Sequence, residues 1–507
     1  MSSARLDSVA SDLSRLRSLK ATGAVTPPEA DAIATRAARA FMSHYAATGE
    51  GLDDAVTVLC EIATLPDEIV ARAGVAGLFP SVIEPLADAF DPTACRVYNR
   101  LFARVIQYCR ALPEGQAIDR TLRDFGLFGE RALVDRAERI RKVKRFASEE
   151  TGVKQVIVLS RVTMGADVAV TSLVLQKMKR LFPRADIVFL ANEGARQLFG
   201  GDARITIHAL SYMRGGGLMA RLSSWLEVIE VSARETRGLG RGETLIIDPD
   251  SRLTQLGLLP VVQDDSGYRF FESRAYRSPG VETLGELTAR WLVEVFGGDD
   301  GLYPYVSPGP TDIAWARALT DPLRRDSQYL VSINLGVGEN PRKRIPDPFE
   351  EELLRALLAE RATVILDQGA GEEEFARVGK LIERLTALGH RVTDLRDAPA
   401  PDQVKSGEIM TWQGGIGRLG ALIAQSDLYI GYDSAGQHIA AAVGVPTIDI
   451  FAGHTSSLMP VRWRPYGPGP VSLVTLADAS ETGPKHVLDK VLHHYRRFRT
   501  GARRRAT

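Results

Sequence analysis

The chain of 507 residues has only three cysteines, Cys60, Cys95 and Cys109, all in its first quarter and none in a CxxC spacing. That excludes a disulfide framework and a cysteine zinc site, suits a reducing compartment, and leaves the thiols as core residues. Neither sign of charge is in excess: 63 basic residues face 63 acidic ones. No global field therefore draws the chain to nucleic acid, and any polyanion site must be local. No apolar run reaches the roughly 18 residues of a membrane span. The opening MSSARLDSVASDLSRLRSLK carries charge every few residues and has no apolar h-region, so a cytoplasmic location is expected. No repeat of fixed period occurs, and low complexity is confined to the basic tail RRFRTGARRRAT. The tail reads as a solvated terminus; contact with the inner face of a membrane is the alternative.

What is present is globular: 45% hydrophobic and 25% charged residues, enough for two or three domains. Over residues 1–148 the apolar positions Leu6, Val9, Leu13 and Leu16, and those of DDAVTVLCEIATL and RVYNRLFARVIQYCRAL, recur at helical spacing, which predicts an all-helical domain. The segment RIRKVKRFASEETG reads as a linker or solvated helix end. After Gly152 the texture changes. QVIVLS, ADIVFLA, ITIHAL and TLIIDP read as buried parallel strands separated by helices, and a second set follows with YLVSINLG, ATVILDQG, LYIGYD and TIDIF. Two such arrays predict two Rossmann-like doubly wound domains over 149–310 and 311–507, with Gly297 to Pro310 as hinge. The cleft expected between such domains suits a sugar nucleotide.

Four strand-to-helix turns carry candidate chemistry. In YIGYDSAGQHIAAAVGVPTIDIF, Asp433 reads as an N-cap, while Ser434 and Gly436 leave the first helical amides uncovered and His438 lies one turn in. Free amides and the helix dipole make an anion site; simple capping is the plainer reading. In NLGVGENPRKRIP, Asn334, Gly336 and Gly338 precede Arg342, Lys343 and Arg344, cations able to meet phosphate. In VILDQGAGEEEFAR, a carboxylate among Glu372, Glu373 and Glu374 could bond ribose hydroxyls or only complement the helix dipole. In VIVLSRVTMGADVAVTS, Asp167 is either an exposed general base or a cap. The triplet Asp248-Pro249-Asp250 is rejected as a metal site, because it follows a strand of the first array.

On these residues the portion from about Val153 to His494 resembles glycosyltransferase family 9, whose best-known members are the ADP-heptose:lipopolysaccharide heptosyltransferases. GYDSAGQHIAAAVGVPTIDIF is similar to the family's Asp-Ser/Thr-Gly-x-x-His segment, and MGADVAVTS to its Gly-Asp turn. The resemblance implies a GT-B fold in which Asp433, Ser434, Ala435, Gly436 and His438 cradle the donor diphosphate, with Lys343 or Arg344 on the phosphates. It implies Glu372 or Glu373, with Gly336, at the nucleoside, and Asp167 as catalytic base. It further implies inversion and neither metal nor cofactor beyond a nucleotide diphosphate sugar, ADP-linked by preference and possibly a heptose. The acceptor, whether glycan, protein or small molecule, is not implied, and the helices of 1–148 are left for oligomer or partner contacts. Two departures stand out: Ala166 separates Gly165 from Asp167, and Ala435 occupies the usual place of a glycine. They motivate the alternative of a non-catalytic sugar-nucleotide-binding or scaffold protein.

Overall fold

The computed structural model describes residues 3–142, 144–146, 152–212, 216–299, 301–325, 329–338, 340–395, 408–454, 456–476 and 483–506. The chain forms two compact units, one of Met1–Val162 with Leu210–Arg277 and one of Thr163–Ala209 with Ser278–Thr507. Among the described residues the strands belong to two parallel sheets, of five and seven strands, and only helices precede them. This is the helical and then doubly wound α/β architecture expected from the pattern. The domain boundary expected at 148/149 falls outside the described residues.

The first unit opens with helices from Ser3–Ala21 to Glu130–Arg141. Asp67 and Asp91 cap two of them, each accepting from two backbone amides. Their apolar stripes meet in one core containing Phe41, Leu59, Ile62, Phe102 and Ile106. At Gly74 a Cβ would lie 2.3 Å from the Ala63 nitrogen, so only glycine lets these two helices approach so closely. The stretch Glu68–Asp88 is long and apolar enough to cross a membrane. In this fold Val70, Leu78, Val82, Ile83 and Leu86 of that stretch are buried in the helical core. All three cysteines are free and buried, and burial pushes Cys95 and Cys109 up to about 12, which leaves them as unreactive thiols.

The basic segment from Arg139, expected as a linker or solvated helix end, does begin as the end of the helix Glu130–Arg141, but Arg141 is anchored there rather than solvated. Arg141 donates to Glu272, Asn99 and the Leu256 carbonyl, and Arg136, just before the segment in the same helix, to the Gly257 carbonyl and Asp265. The planar guanidinium fork suits such multiple acceptors, which a solvated loop would not supply. Residues 143 and 147–151 of that segment are outside the described ones.

The strands of the first array are β1 (Gln155–Leu159), β2 (Asp186–Ala191), β3 (Ile205–Ala209), β4 (Thr244–Asp248) and β5 (Tyr268–Phe270). In the first unit β4 pairs in parallel with β1 and β5; in the second, β2 pairs with β3. The seven-stranded sheet lies wholly in the second unit. Its strands are β6 (Tyr329–Asn334), β7 (Ala362–Asp367), β8 (Val392–Asp394), β9 (Ile409–Trp412), β10 (Leu428–Tyr432), β11 (Thr447–Phe451) and β12 (Val471–Thr475), in the order β12-β11-β10-β6-β7-β9-β8. β6, β7, β10 and β11 are buried almost throughout, which is why they read as near-continuous apolar runs. The short β8, β9 and β12 have weaker signals and were not anticipated. The supposed hinge is packed within the second unit: the Tyr305 hydroxyl donates to Asp202, its ring meets Phe199, and Leu302 is buried.

Candidate functional site: the carboxyl ends of the seven-stranded sheet

β10 ends at Tyr432, and the helix Ala435–Ala442 begins three residues later. Ser434, not Asp433, is the N-cap, and its hydroxyl makes no capping bond. Asp433 is engaged elsewhere: its Oδ2 accepts from Lys343 Nζ at 2.5 Å and its Oδ1 from Gln437 Nε2 at 2.9 Å. The first amides of the helix are therefore left without a side-chain cap, beside a half-buried ammonium group. An uncapped helix start next to a cation is suited to an anion. Of the three cations expected here, Lys343 is the one placed at the helix start. Arg344 is turned onto Glu350 and Asp347, and Arg342 is exposed.

Gly436 also makes room for a neighbouring side chain. A Cβ there would lie 2.3 Å from the Tyr429 hydroxyl, and one at Gly431 would lie 2.4 Å from it, so both glycines make room for the tyrosine. His438 is buried edge-on to Trp463 with ring centroids 5.9 Å apart. Burial pushes its imidazole down to about 4, Lys343 adds to that push and Asp433 opposes it. His438 is thus neutral at ordinary pH, able to offer an N–H but no charge.

Directly opposed residues in neighbouring parallel strands share a face. Asp449 on β11 stands opposite Gly431, Gly431 opposite Asn334, Asn334 opposite Asp367, and Asp367 opposite Trp412. A polar row therefore crosses five strands at their carboxyl ends. Asn334 donates to Asp367 at 2.5 Å, and its oxygen accepts from the Gly336 amide at 2.9 Å and the Ser434 hydroxyl at 3.5 Å. Asp449 is wholly buried and neither of its oxygens makes a well-formed hydrogen bond; the same holds for the Tyr429 hydroxyl and Gln437 Oε1. Burial and then Asp433 push the Asp449 carboxyl well above its usual range, with Lys343 opposing. Native interiors leave few polar groups in that condition, and they cluster where a site is built.

Among the three glutamates after β7, the inward one is Glu374. Its carboxylate accepts from the Val337 amide at 2.7 Å and the Gly338 amide at 2.8 Å. Glu372 and Glu373, the pair implied by the resemblance, are exposed on the first turn of their helix. Gly336 lies against the same group: a Cβ there would sit 3.1 Å from both Glu374 oxygens.

Asp167 lies in the same unit but is not exposed, and the residue at the helix N-cap is Thr163 rather than Asp167. Asp167 is fully buried, and its Oδ1 accepts from the Thr171 hydroxyl at 2.8 Å. The reason is local: residues Asp167–Thr171 form a π turn, with the Ser172 amide donating to the Asp167 carbonyl. Such a turn takes up one extra residue in a helix, and here it follows the additional Ala166 and directs the carboxylate inward. Gly165 brings this turn close to the other helix start. A Cβ at Gly165 would lie 3.1 Å from His438 Cδ2 and 3.3 Å from the Ala435 Cα.

With this geometry in place, the match to a known family falls on it: residues 415–490 fit the model of glycosyltransferase family 9 (heptosyltransferase). Those residues are similar to family 9 glycosyltransferases. The family 9 segment contains the Asp433 turn, His438 and Asp449, and excludes Lys343, Asp367 and Asp167. No curated protein matches the chain. Among solved structures, the glycosyl transferase family 9 protein from Veillonella parvula DSM 2008 is 16% identical, covering 69% of this chain and 98% of its own, with a TM-score of 0.49. E. coli ADP-heptose lps heptosyltransferase II is 14% identical over 67% of this chain and 98% of its own, with a TM-score of 0.42. E. coli heptosyltransferase WaaC with ADP is 14% identical over 67% and 99%, with a TM-score of 0.44. At these scores they say nothing further about the chain.

One part of the site was not anticipated from sequence. At the end of β9, beside the family 9 segment, a pocket of about 430 Å³ is lined by Trp412, Gln413, Gly414, Arg418, Gln197 and Asp312. Trp412 meets Trp315 with ring centroids 5.0 Å apart, and the Arg418 guanidinium lies 4.9 Å from the Trp315 ring. A tryptophan closing a four-residue strand was its signal. Among the described residues no group of three or more His, Cys, Asp or Glu side chains could hold a metal. Both carboxylates of the Asp248-Pro249-Asp250 triplet are bonded internally, Asp248 to Thr254 and Tyr268, and Asp250 to Ser273 and Arg274.

Proposed function

We propose that the chain is an inverting, metal-independent GT-B glycosyltransferase that moves a sugar from a nucleoside diphosphate sugar, ADP-linked by preference, to an acceptor hydroxyl. The observation that carries this reading is the Lys343–Asp433 pair at the uncapped start of Ala435–Ala442, inside the family 9 segment. In this reading the diphosphate lies on the amides of that helix start and draws the Lys343 ammonium from Asp433. His438 supplies a neutral N–H donor, and the base rests near Trp412, whose aromatic surroundings suit a nucleobase. The acceptor oxygen forms its bond to the anomeric carbon as the bond to phosphate breaks. The electron pair leaves with the nucleoside diphosphate, and the acceptor proton goes to a base.

Asp167 is the candidate base, and residues 149–310 and 311–507 are read as acceptor-side and donor-side domains. The helices of 1–148 are assigned to acceptor, oligomer or partner contact, and the location is read as cytoplasmic. One observation favours the alternative of a nucleotide-sugar-binding protein without transfer: Asp167 is buried and bonded to Thr171. A base must reach the proton that it takes, so transfer requires this turn to open.

The test is isothermal titration with ADP, GDP, UDP and TDP, first in EDTA and then with magnesium. Binding of one nucleotide in EDTA that is lost in Lys343→Met supports the donor site; no binding to any of the four would sink it. Asp167→Asn then separates the readings, since it should abolish transfer and spare nucleotide binding if Asp167 is the base.

A further inference from the structure

We infer that Asp367, working through Asn334, is a positioning residue of the donor site that sets the hydrogen-bond polarity of the loops after β6, β7 and β10. The inference deepens the nucleotide-sugar reading and rests on it. Asp367 closes β7 and is 7% exposed. One carboxylate oxygen accepts from Asn334 Nδ2 at 2.5 Å and the other from the Gly369 amide at 3.2 Å. An ionised carboxylate can only accept, whereas an asparagine amide has a donor end and an acceptor end. Asp367 therefore forces the Asn334 nitrogen towards itself and the Asn334 oxygen towards the Gly336 amide, at 2.9 Å, and the Ser434 hydroxyl, at 3.5 Å. Reversing the amide would set an NH2 group against the Gly336 N–H. One buried charge thus orients the turn beside Lys343 and the N-cap of Ala435–Ala442 together.

Asparagine in place of Asp367 does not reproduce this arrangement. With one oxygen and one nitrogen it must present a donor either to Asn334 Nδ2 or to the Gly369 amide, leaving two donors facing each other. Protonation has a related effect, because it turns one accepting oxygen into a donor. Burial pushes the Asp367 carboxyl up to about 6; the Gly369 and Asn334 bonds pull it down, and Glu374 adds to the rise. The titratable groups facing it are Glu374, at the start of the following helix, and Tyr429 from β10. Donor affinity should accordingly fall as pH drops through about 6.

The experiment measures binding of ADP-glucose and UDP-glucose to the full chain from about pH 8 to about pH 5, a range in which a diphosphate esterified at both ends does not titrate. For whichever binds, affinity is expected to fall about tenfold across the range. Asp367→Asn should bind about tenfold more weakly at the upper end and show a flat profile. Asn334→Ala should behave alike, and adding Asp367→Asn to it should change nothing more. The melting temperature, followed in parallel, distinguishes this from acid unfolding, because protonated Asp367 favours the fold. Should Asp367→Asn fail to fold, the profile of the unmodified chain and Asn334→Ala decide. Binding with a flat profile, or Asp367→Asn with unchanged affinity and profile, overturns this inference alone. No binding of either sugar nucleotide at any pH overturns the donor reading and this inference with it.

Discussion

Two groups of buried carboxylates, one at the end of β4 and one at the ends of β6 to β11, are built from the same residue types and treated in opposite ways. After β4, Asp248 accepts from the Ser251 amide, Thr254 and Tyr268, and Asp250 from Ser273 and Arg274. Burial pushes Asp250 up, but Arg274, Arg161 and Ser273 more than reverse it, so it stays ionised and paired. At the seven-stranded sheet, Asp449, Tyr429 and Gln437 keep polar atoms buried without well-formed partners. A saturated network holds a fold together, whereas an unsaturated one is retained at a cost and marks a place built for something else. The acidic triplet that catches the eye in the sequence is the structural one.

The largest test of this contrast is Lys343→Met. It removes the one positively charged partner of Asp433 among the described residues, and nucleotide affinity should drop about a hundredfold. The opposite pattern is expected in the first unit. Asp250→Ala leaves Arg274 buried without its carboxylate, so chemical denaturation should show a loss of about 3–5 kcal/mol with nucleotide affinity unchanged. If Asp250→Ala instead removes nucleotide binding, the division between a structural and a functional cluster fails.

A smaller effect of opposite sign is expected at Asp449. Its folded-state pKa is raised, so whatever it contributes to the fold is complete below about pH 4 and is lost as pH rises. Asp449→Leu should therefore stabilise the protein by about 1–3 kcal/mol near neutrality, and by less in acid. Destabilisation would mean that this carboxyl is satisfied after all.

Among the glutamates, Glu374→Ala should weaken nucleotide binding about tenfold, because it removes the oxygen that holds the amides of the β6 loop. Glu372→Gln and Glu373→Gln should stay within about twofold, as exposed groups do. A comparable loss at Glu372 would return the ribose role to the residue that the resemblance implied. The smallest effect concerns His438, whose pKa is depressed to about 4. As pH falls below about 6.5 the unfolded chain takes up a proton that the folded one refuses, so His438→Phe should flatten only the acid side of the stability profile.

Much of this was legible in one dimension. The helical opening, the two parallel arrays and the strand-to-helix turn at Asp433 follow from periodicity and from residues placed between a strand and a helix. Lys343, Asp433 and His438 could be named because each belongs to such a turn. Trp412 and its pocket were not legible, because a four-residue strand gives too short a period to recognise. Glu374 was not separable from Glu372 and Glu373, because three adjacent glutamates differ only in the direction each takes from the helix.

The amino-acid sequence alone determined the longer elements, their order and the loops between them that carry polar groups, because those depend on periods of two and 3.6 residues and on local turn chemistry. Only the tertiary structure decided which polar group meets which. Lys343 faces Asp433, 90 positions away, and Asn334 is clamped by Asp367, 33 positions away. Those choices follow from strand register and close packing between residues tens to a hundred positions apart, which no local pattern encodes.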